Sequence, residues 1–221
     1  MKKKILPLLF VAISATTFAQ TKLSYGFRFG VSSADMRGDA VQSLKDLVDF
    51  ADKYITTGPR TSFFTGAYVG LPLGDVITVE PGLYYSQKGY QLKGSLSVKG
   101  VDILGVNAKA QLQLNYLELP LLLKANMGGL QIFAGPQISY LMNADLKASA
   151  GALGFNVFST KIPVGSQFNK WDAGVTSGIG YQFNNGLNIM ASYDYGLSKV
   201  DANKNVDAYN RMMKIGIGLN F

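Results

Sequence analysis

The sequence predicts an all-β chain, an eight-stranded antiparallel up-and-down transmembrane β-barrel with short periplasmic turns and long extracellular loops. Three observations predict it. Segments of about ten residues alternate apolar side chains with polar ones or glycine, short and long connections follow one another by turns, and the chain ends on one more such segment, Met213 to Phe221. In that segment Ile215, Ile217, Leu219 and Phe221 share one face, while Lys214, Gly216, Gly218 and Asn220 share the other. One side suits hydrocarbon and the other a crowded polar interior.

The amino-terminal residues read as an export signal. Lys2, Lys3 and Lys4 precede an apolar stretch from Ile5 to Ala15, and Thr17-Phe18-Ala19 supplies the small residues of a cleavage site before Gln20. Pro7 interrupts a stretch already short of the ~20 residues a spanning helix needs. The expected domains are therefore a signal peptide, 1–19, and a barrel domain, 20–221. Cleavage drops three lysines and no acids, which takes the formal charge from +7 to +4. With no basic cluster left, nucleic acid is not an expected partner.

The chain has no cysteine, which excludes disulfides, thiolate metal sites and a lipid anchor on cysteine. It has no histidine either, so a Ser-His-Asp site cannot be built and most zinc sites lose their commonest ligand. No cofactor, metal site or catalytic residue is expected.

The first strand sets Leu23, Tyr25, Phe27, Phe29 and Val31 against Ser24, Gly26, Arg28 and Gly30. The second, Phe63 to Leu73, sets Ala67, Val69, Leu71 and Leu73 against Gly66, Tyr68 and Gly70, and turns at Gly74-Asp75. The third, Val76 to Gln87, carries Thr78, Glu80, Gly82, Tyr84 and Ser86 on its polar face, with Pro81 opposite as a missing ladder donor. The fourth lies within Gln111 to Met127; Leu117, Leu119, Leu121 and Leu123 alternate with Glu118, Pro120 and Lys124, but Leu122 breaks the polar face.

Gly128-Gly129 leads to a fifth strand, Leu130 to Met142. The sixth opposes Trp171, Ala173, Val175, Ile179, Tyr181 and Phe183 to Asp172, Gly174, Thr176, Gly178, Gly180 and Gln182, and ends at the hairpin signal Asn184-Asn185-Gly186. The seventh opposes Leu187, Ile189, Ala191, Tyr193, Tyr195 and Leu197 to Asn188, Met190, Ser192, Asp194 and Gly196; Met213 to Phe221 is the eighth. Short turns fall near 74, 128 and 185, and long connections at 32–62, 88–110, 143–169 and 198–210, so both mature termini are expected in the periplasm of an outer-membrane barrel. Asp39 to Ile55 has Val41, Leu44, Leu47, Val48, Ala51 and Ile55 at helical spacing, a short helix for the barrel mouth.

Arg28, Glu80, Glu118, Lys124, Asp172, Asp194 and Lys214 all fall on inward faces. Their mixed signs predict a paired charge network plugging the lumen, with Arg28 and Lys214 at similar heights on the closing strands. Glu80 and Glu118, on adjacent strands, are the right residue types for a paired-carboxylate hydrolase. The narrow lumen of eight strands leaves such a site no cleft. Gly178-Ile179-Gly180 and Gly216-Ile217-Gly218 have period two and lead into no helix, so they make no phosphate loop. A soluble all-β barrel would need the reverse polarity, with apolar residues inside.

Asn115-Tyr116-Leu117-Glu118-Leu119-Pro120-Leu121-Leu122-Leu123-Lys124 resembles a recurring segment of the PorT-like outer-membrane β-barrel family of Bacteroidetes. Gly135-Pro136-Gln137-Ile138-Ser139-Tyr140-Leu141 and Phe168-Asn169-Lys170-Trp171-Asp172-Ala173-Gly174 are similar to two more of its segments. The resemblance implies an eight-stranded outer-membrane barrel with a periplasmic amino terminus; its namesake is tied to protein secretion. Phe221 resembles the terminal aromatic signal read by the barrel assembly machinery. The expected function is a non-enzymatic outer-membrane barrel with a structural or surface-binding role, the alternatives being an accessory part of a secretion system or a narrow pore. Expected partners are outer-membrane lipid, the assembly machinery during insertion, and an extracellular or secretion-system protein.

Overall fold

The computed structural model describes residues 23–50, 55–96, 106–152 and 155–221. The expected signal peptide lies outside them. Along the chain run β1 (Ser24–Arg37), α1 (Asp39–Phe50), β2 (Ile55–Leu73), β3 (Ile77–Leu96), β4 (Val106–Met127), β5 (Leu130–Ala152), β6 (Phe155–Pro163), β7 (Trp171–Gln182), β8 (Leu187–Lys199) and β9 (Tyr209–Asn220). Each strand pairs antiparallel with the next, except that β5 meets both β6 and β7, and β9 returns to β1. The result is a closed ring of eight, β1-β2-β3-β4-β5-β7-β8-β9. The ninth strand, β6, adds only to the far half of β5, from Asp145 to Ala152.

Closure is sealed at the chain end, where the Phe221 and Tyr25 amides each donate to the other's carbonyl, at 2.8 and 3.3 Å. Outside the ring stand the expected apolar side chains, Phe27, Phe29, Leu119, Leu121, Ile179 and Ile217 among them, all exposed. Tyr140 meets Trp171 edge-on at 5.1 Å near one rim, and Tyr181 meets Phe183 at 4.9 Å near the other. From Trp171 to Tyr181 is about 33 Å of strand at ~3.3 Å per residue. With a tilt of about 40° that spans ~25 Å of height, the thickness of an outer-membrane apolar band.

Several strands are longer than the alternation predicts. The third runs to Leu96 rather than Gln87, the second begins at Ile55 rather than Phe63, and the fifth runs to Ala152 rather than Met142. The expected connection 143–169 therefore contains β6 as well as the end of β5. Beyond the girdle near Tyr140 the strands keep their parity but invert their polarity. On β4, Leu117, Leu119, Leu121 and Leu123 point out, whereas Tyr116, Leu114 and Leu112 point in. On β1, Phe27, Phe29 and Val31 point out and Ala34 and Met36 point in.

The inward residues of this extension form an apolar cluster with Met36, Tyr90, Leu114, Tyr116, Leu141, Ala144 and Ala208, and α1 lays Val41 into it with Leu44 alongside. The helix is shorter than predicted, because Ile55 already belongs to β2. It follows Gly38, whose φ of 126° and approach to the Asp207 carbonyl, 2.0 Å from where a Cβ would stand, leave room for no side chain. Two irregularities fit the sequence. The β3–β4 ladder skips from Pro81 to Tyr84, and a bulge at Met142 turns β5 toward its extension.

Candidate functional site

The lumen holds two charge clusters and an aromatic layer. Near the short-turn end, Arg28 Nη1 lies 3.1 Å from Glu80 Oε1 and donates to the Tyr84 hydroxyl at 2.8 Å, while Nε donates to Asn188 Oδ1 at 3.4 Å. Its guanidinium stacks 4.1 Å from the centre of the Tyr68 ring, and Lys124 binds the second oxygen of Glu80. Asn188 Nδ2 donates to the Tyr68 hydroxyl at 2.9 Å. Nη1 and Nε thus meet acceptors, and the guanidinium plane meets a π face.

Above this cluster lie Phe64, Tyr68, Tyr84, Leu122, Phe133 and Met190, all buried. Leu122, the residue that breaks the polar face of β4, belongs here. Inward glycines make the space. A Cβ on Gly216 would stand 2.7 Å from the Phe64 ring, and one on Gly178 would stand 2.6 Å from that of Phe133. Bulky rings and bare backbone alternate around the wall, which is how eight strands close without an open bore.

Toward the long-connection end, Lys214 Nζ lies 2.7 Å from both Glu118 Oε2 and Asp194 Oδ2. Lys88 Nζ lies 3.1 Å from Glu118 Oε1 and 3.1 Å from Asp172 Oδ2, and donates to Ser139 Oγ at 3.3 Å. Thr176 Oγ1 lies 2.9 Å from Asp194 Oδ1 and from Gln137 Oε1, and Asn210 Nδ2 donates to Asp172 at 2.9 Å. All seven sequence-predicted lumen residues point inward and are buried. Arg28, Glu80 and Lys124 fall in one cluster; Glu118, Asp172, Asp194 and Lys214 fall in the other.

One sequence reading needs correction, and the carboxylate pair that the sequence argued against also lacks the geometry. Arg28 and Lys214 are not at similar heights: the register sets Arg28 opposite Gly218 and Lys214 opposite Ser32, four residues further along. Glu80 and Glu118 are likewise four residues out of step, since Glu80 pairs with Leu122 and Glu118 with Tyr84, and each carboxylate has its own cations. The residue missed was Lys88. The even-numbered run Glu80, Gly82, Tyr84, Ser86 extends straight to it, one residue past the predicted end of the third strand at Gln87.

Remaining lumen space is small. A cavity of about 30 Å³ lies between Phe64, Leu122, Phe133, Met190 and Lys214, and one of about 10 Å³ lies beside Lys88, Asp172 and Asn210. Such volumes admit a water or two and nothing larger. A wider apolar recess, about 270 Å³, opens at the mouth between Val41 and Leu44 of α1 and Tyr90, Leu92, Leu112 and Leu146. Phe221 lies at the opposite end, exposed on the outer face.

Among solved structures, the chain is similar to Neisserial surface protein A, with 14% identity and a TM-score of 0.46 over 91% of this chain and 100% of that one. It is similar to the attachment invasion locus protein Ail of Yersinia pestis, with 12% identity and a TM-score of 0.47 over the same shares. The outer membrane protease OmpT from Escherichia coli matches at 8% identity and a TM-score of 0.35, over 92% of this chain and 98% of that one. Comparison with curated proteins finds no match. The profile of the family described as "Outer membrane protein beta-barrel domain" matches residues 18–202. With that match over most of its length and a closed ring of eight strands banded by apolar side chains, the chain belongs to the outer membrane protein beta-barrel domain family.

Proposed function

We propose that this chain is a non-enzymatic outer-membrane barrel whose lumen is a structural plug and whose working surface is the rim built by the strand extensions. In this reading residues 1–19 are removed, both mature termini are periplasmic and the long connections face the exterior. The observation that carries it is the filled lumen, where the cavities found beside the charge clusters and the aromatic layer measure about 30 and 10 Å³ among the described residues. No buried carboxylate there has both a free oxygen pair and a path for substrate, so the charges hold the wall together and do no chemistry. The extensions of β3, β4 and β5, by contrast, carry the fold well past the membrane band.

Planar bilayers test the plug: the mature chain gives no step conductance, and discrete open levels would refute it in favour of a narrow pore. Topology is tested by single cysteines, which this cysteine-free chain makes unambiguous. A membrane-impermeant maleimide labels Asn203→Cys in intact cells and leaves Asn185→Cys unlabelled; the opposite pattern inverts the orientation.

A second reading, an accessory role in protein secretion, is favoured by the segments Asn115 to Lys124 and Gly135 to Leu141, which resemble the PorT-like family. It predicts co-purification with large secretion partners, and a deletion strain that secretes normally would remove it. Phe221 serves, in either reading, as the signal to the assembly machinery.

A further inference from the structure

The ninth strand leaves one sheet edge open. Within the membrane band the neighbour of β5 is β7, but beyond Tyr140 it is β6, and among the described residues β6 pairs with β5 alone. Below β6 the chain turns back into the wall, where the Val164 amide donates to the Ala144 carbonyl at 2.9 Å and Phe168 bridges to Asp201. The ring is thus restored beneath the edge and not along it. Alternate N–H and C=O groups of β6 point away from β5, with no strand among the described residues to meet them.

Edges are commonly blunted by a bulge, a proline or a lysine. On β6 the bulge at Val157 and Pro163 only bound the edge, and Lys161 leans back over β5 to Asp145 at 3.1 Å. Between them Phe158 to Ile162 is an unbroken ladder, about 16 Å long at ~3.3 Å per residue. The side chains name what fits beside it. One register row runs Tyr90, Leu112, Leu146, Ile162 across four strands, each residue directly opposite the next. Tyr90 is 7% exposed, Leu146 37% and Ile162 49%, so the row starts in the mouth cluster and runs out uncovered at the edge. Phe158, on the same face and opposite Ala150, is also exposed, while Ser159 and Lys161 take the other face.

We propose that β6 takes up an extended segment of another protein as an added strand, with apolar residues facing Phe158 and Ile162 and polar or acidic residues facing Ser159 and Lys161. Main-chain hydrogen bonds supply the affinity and the alternate side chains the selectivity. A second copy of this chain in the same membrane does not fit. The two-fold axis of such a dimer lies along the membrane normal, and it carries a strand tilted by about 40° onto one that crosses it at about 80°, which admits no ladder. The inference rests on the reading of the rim as the working surface and gives that surface a partner.

The test uses the full mature chain in detergent micelles and a synthetic peptide of about eight residues that alternates valine with glutamate. In the free protein, alternate amides from Phe158 to Ile162 exchange with deuterium about a hundredfold faster than those between them, and the peptide slows the fast set tenfold or more. Of two peptides N-methylated on the valines or on the glutamates, at least one binds about tenfold more weakly, because it loses the amides that face β6. F158S/I162S weakens binding about tenfold. V206S, which trims an exposed valine in the β8–β9 connection, binds as the parent does, and unchanged heat-modifiable migration of all variants reports an intact barrel. Uniform protection of β6 in the free chain, binding that survives both N-methylations, no loss in F158S/I162S, or a dimer in micelles that F158S/I162S dissolves would each overturn the proposal. Maleimide labelling of Asn203→Cys in intact cells reads the orientation separately: labelling without peptide binding keeps the rim outside and removes its edge partner, and binding without labelling keeps the edge and removes the exterior rim.

Discussion

Lys88→Met is the most searching test of the lumen. The substitution keeps an unbranched side chain of similar length, so packing against Tyr116 is nearly conserved and the loss is of charge. Lys88 joins Glu118 and Asp172 at 3.1 Å each and places its ammonium 4.8 Å over the Tyr116 ring. Its cluster has two cations, Lys88 and Lys214, against three acids, Glu118, Asp172 and Asp194. The cluster's formal charge therefore goes from −1 to −2, with Asp172 left to Asn210 alone and Glu118 to Lys214 alone. Breaking one partner of a buried pair costs about 3–5 kcal/mol.

The assay is reversible urea unfolding in lipid vesicles, followed by the fluorescence of Trp171, the one tryptophan of the chain. Because the expected cost comes from uncompensated charge and not from shape, Lys88→Met/Asp172→Asn recovers at least ~1.5 kcal/mol of it, within the range of coupling between contacting residues. A single variant within ~1 kcal/mol of the parent, or two substitutions that simply add, would refute the argument that the lumen is held by charge pairing.

Three further outcomes follow from the same architecture. Gly216→Ala loses ~1–3 kcal/mol by overpacking against Phe64, and Phe64→Leu in the same chain gives a double variant less destabilised than the sum of the singles in the same urea titration; additivity would show that Phe64 does not use that space. Deleting Phe221 lowers the amount of barrel assembled in cells, read by heat-modifiable migration, while refolding in vesicles proceeds; normal cellular yield would remove its recognition role and leave the barrel untouched. Gly38→Ala destabilises the rim and not the band, since the added Cβ meets the Asp207 carbonyl and Ala208 just before β9; limited proteolysis cutting near α1 with Trp171 emission unchanged is the expected pattern.

Which residues face the lumen was legible in the sequence, because parity alone decides it: Arg28, Glu80, Glu118, Lys124, Asp172, Asp194 and Lys214 all follow from alternation with an apolar outer face. How they pair was not. Lys214 on β9 reaches Glu118 on β4 across the interior, and that contact depends on the stagger of the closed ring, a quantity no single strand carries. The strand ends were hidden for a different reason. A reader following apolar residues outward loses the trail at Leu117, because above it Leu114 and Leu112 keep the alternation with the apolar side turned in. The switch puts Leu114 on a face expected to be polar and masks the continuation of the third strand to Lys88, the shared cation of Glu118 and Asp172; Leu122 interrupts that face for another reason, as part of the aromatic layer within the band.

That inversion of polarity along single strands fixes how deep the barrel sits. Sinking it by one rung would draw the Asn115, Gln87 and Asn143 amides into hydrocarbon, and raising it would put Leu117 and Tyr140 into water. A rung is two residues, about 5 Å of height at ~3.3 Å per residue and the usual tilt. The chain thus carries its own waterline, written in the pattern of its longest strands, and whatever the rim meets is met at a constant height above the lipid.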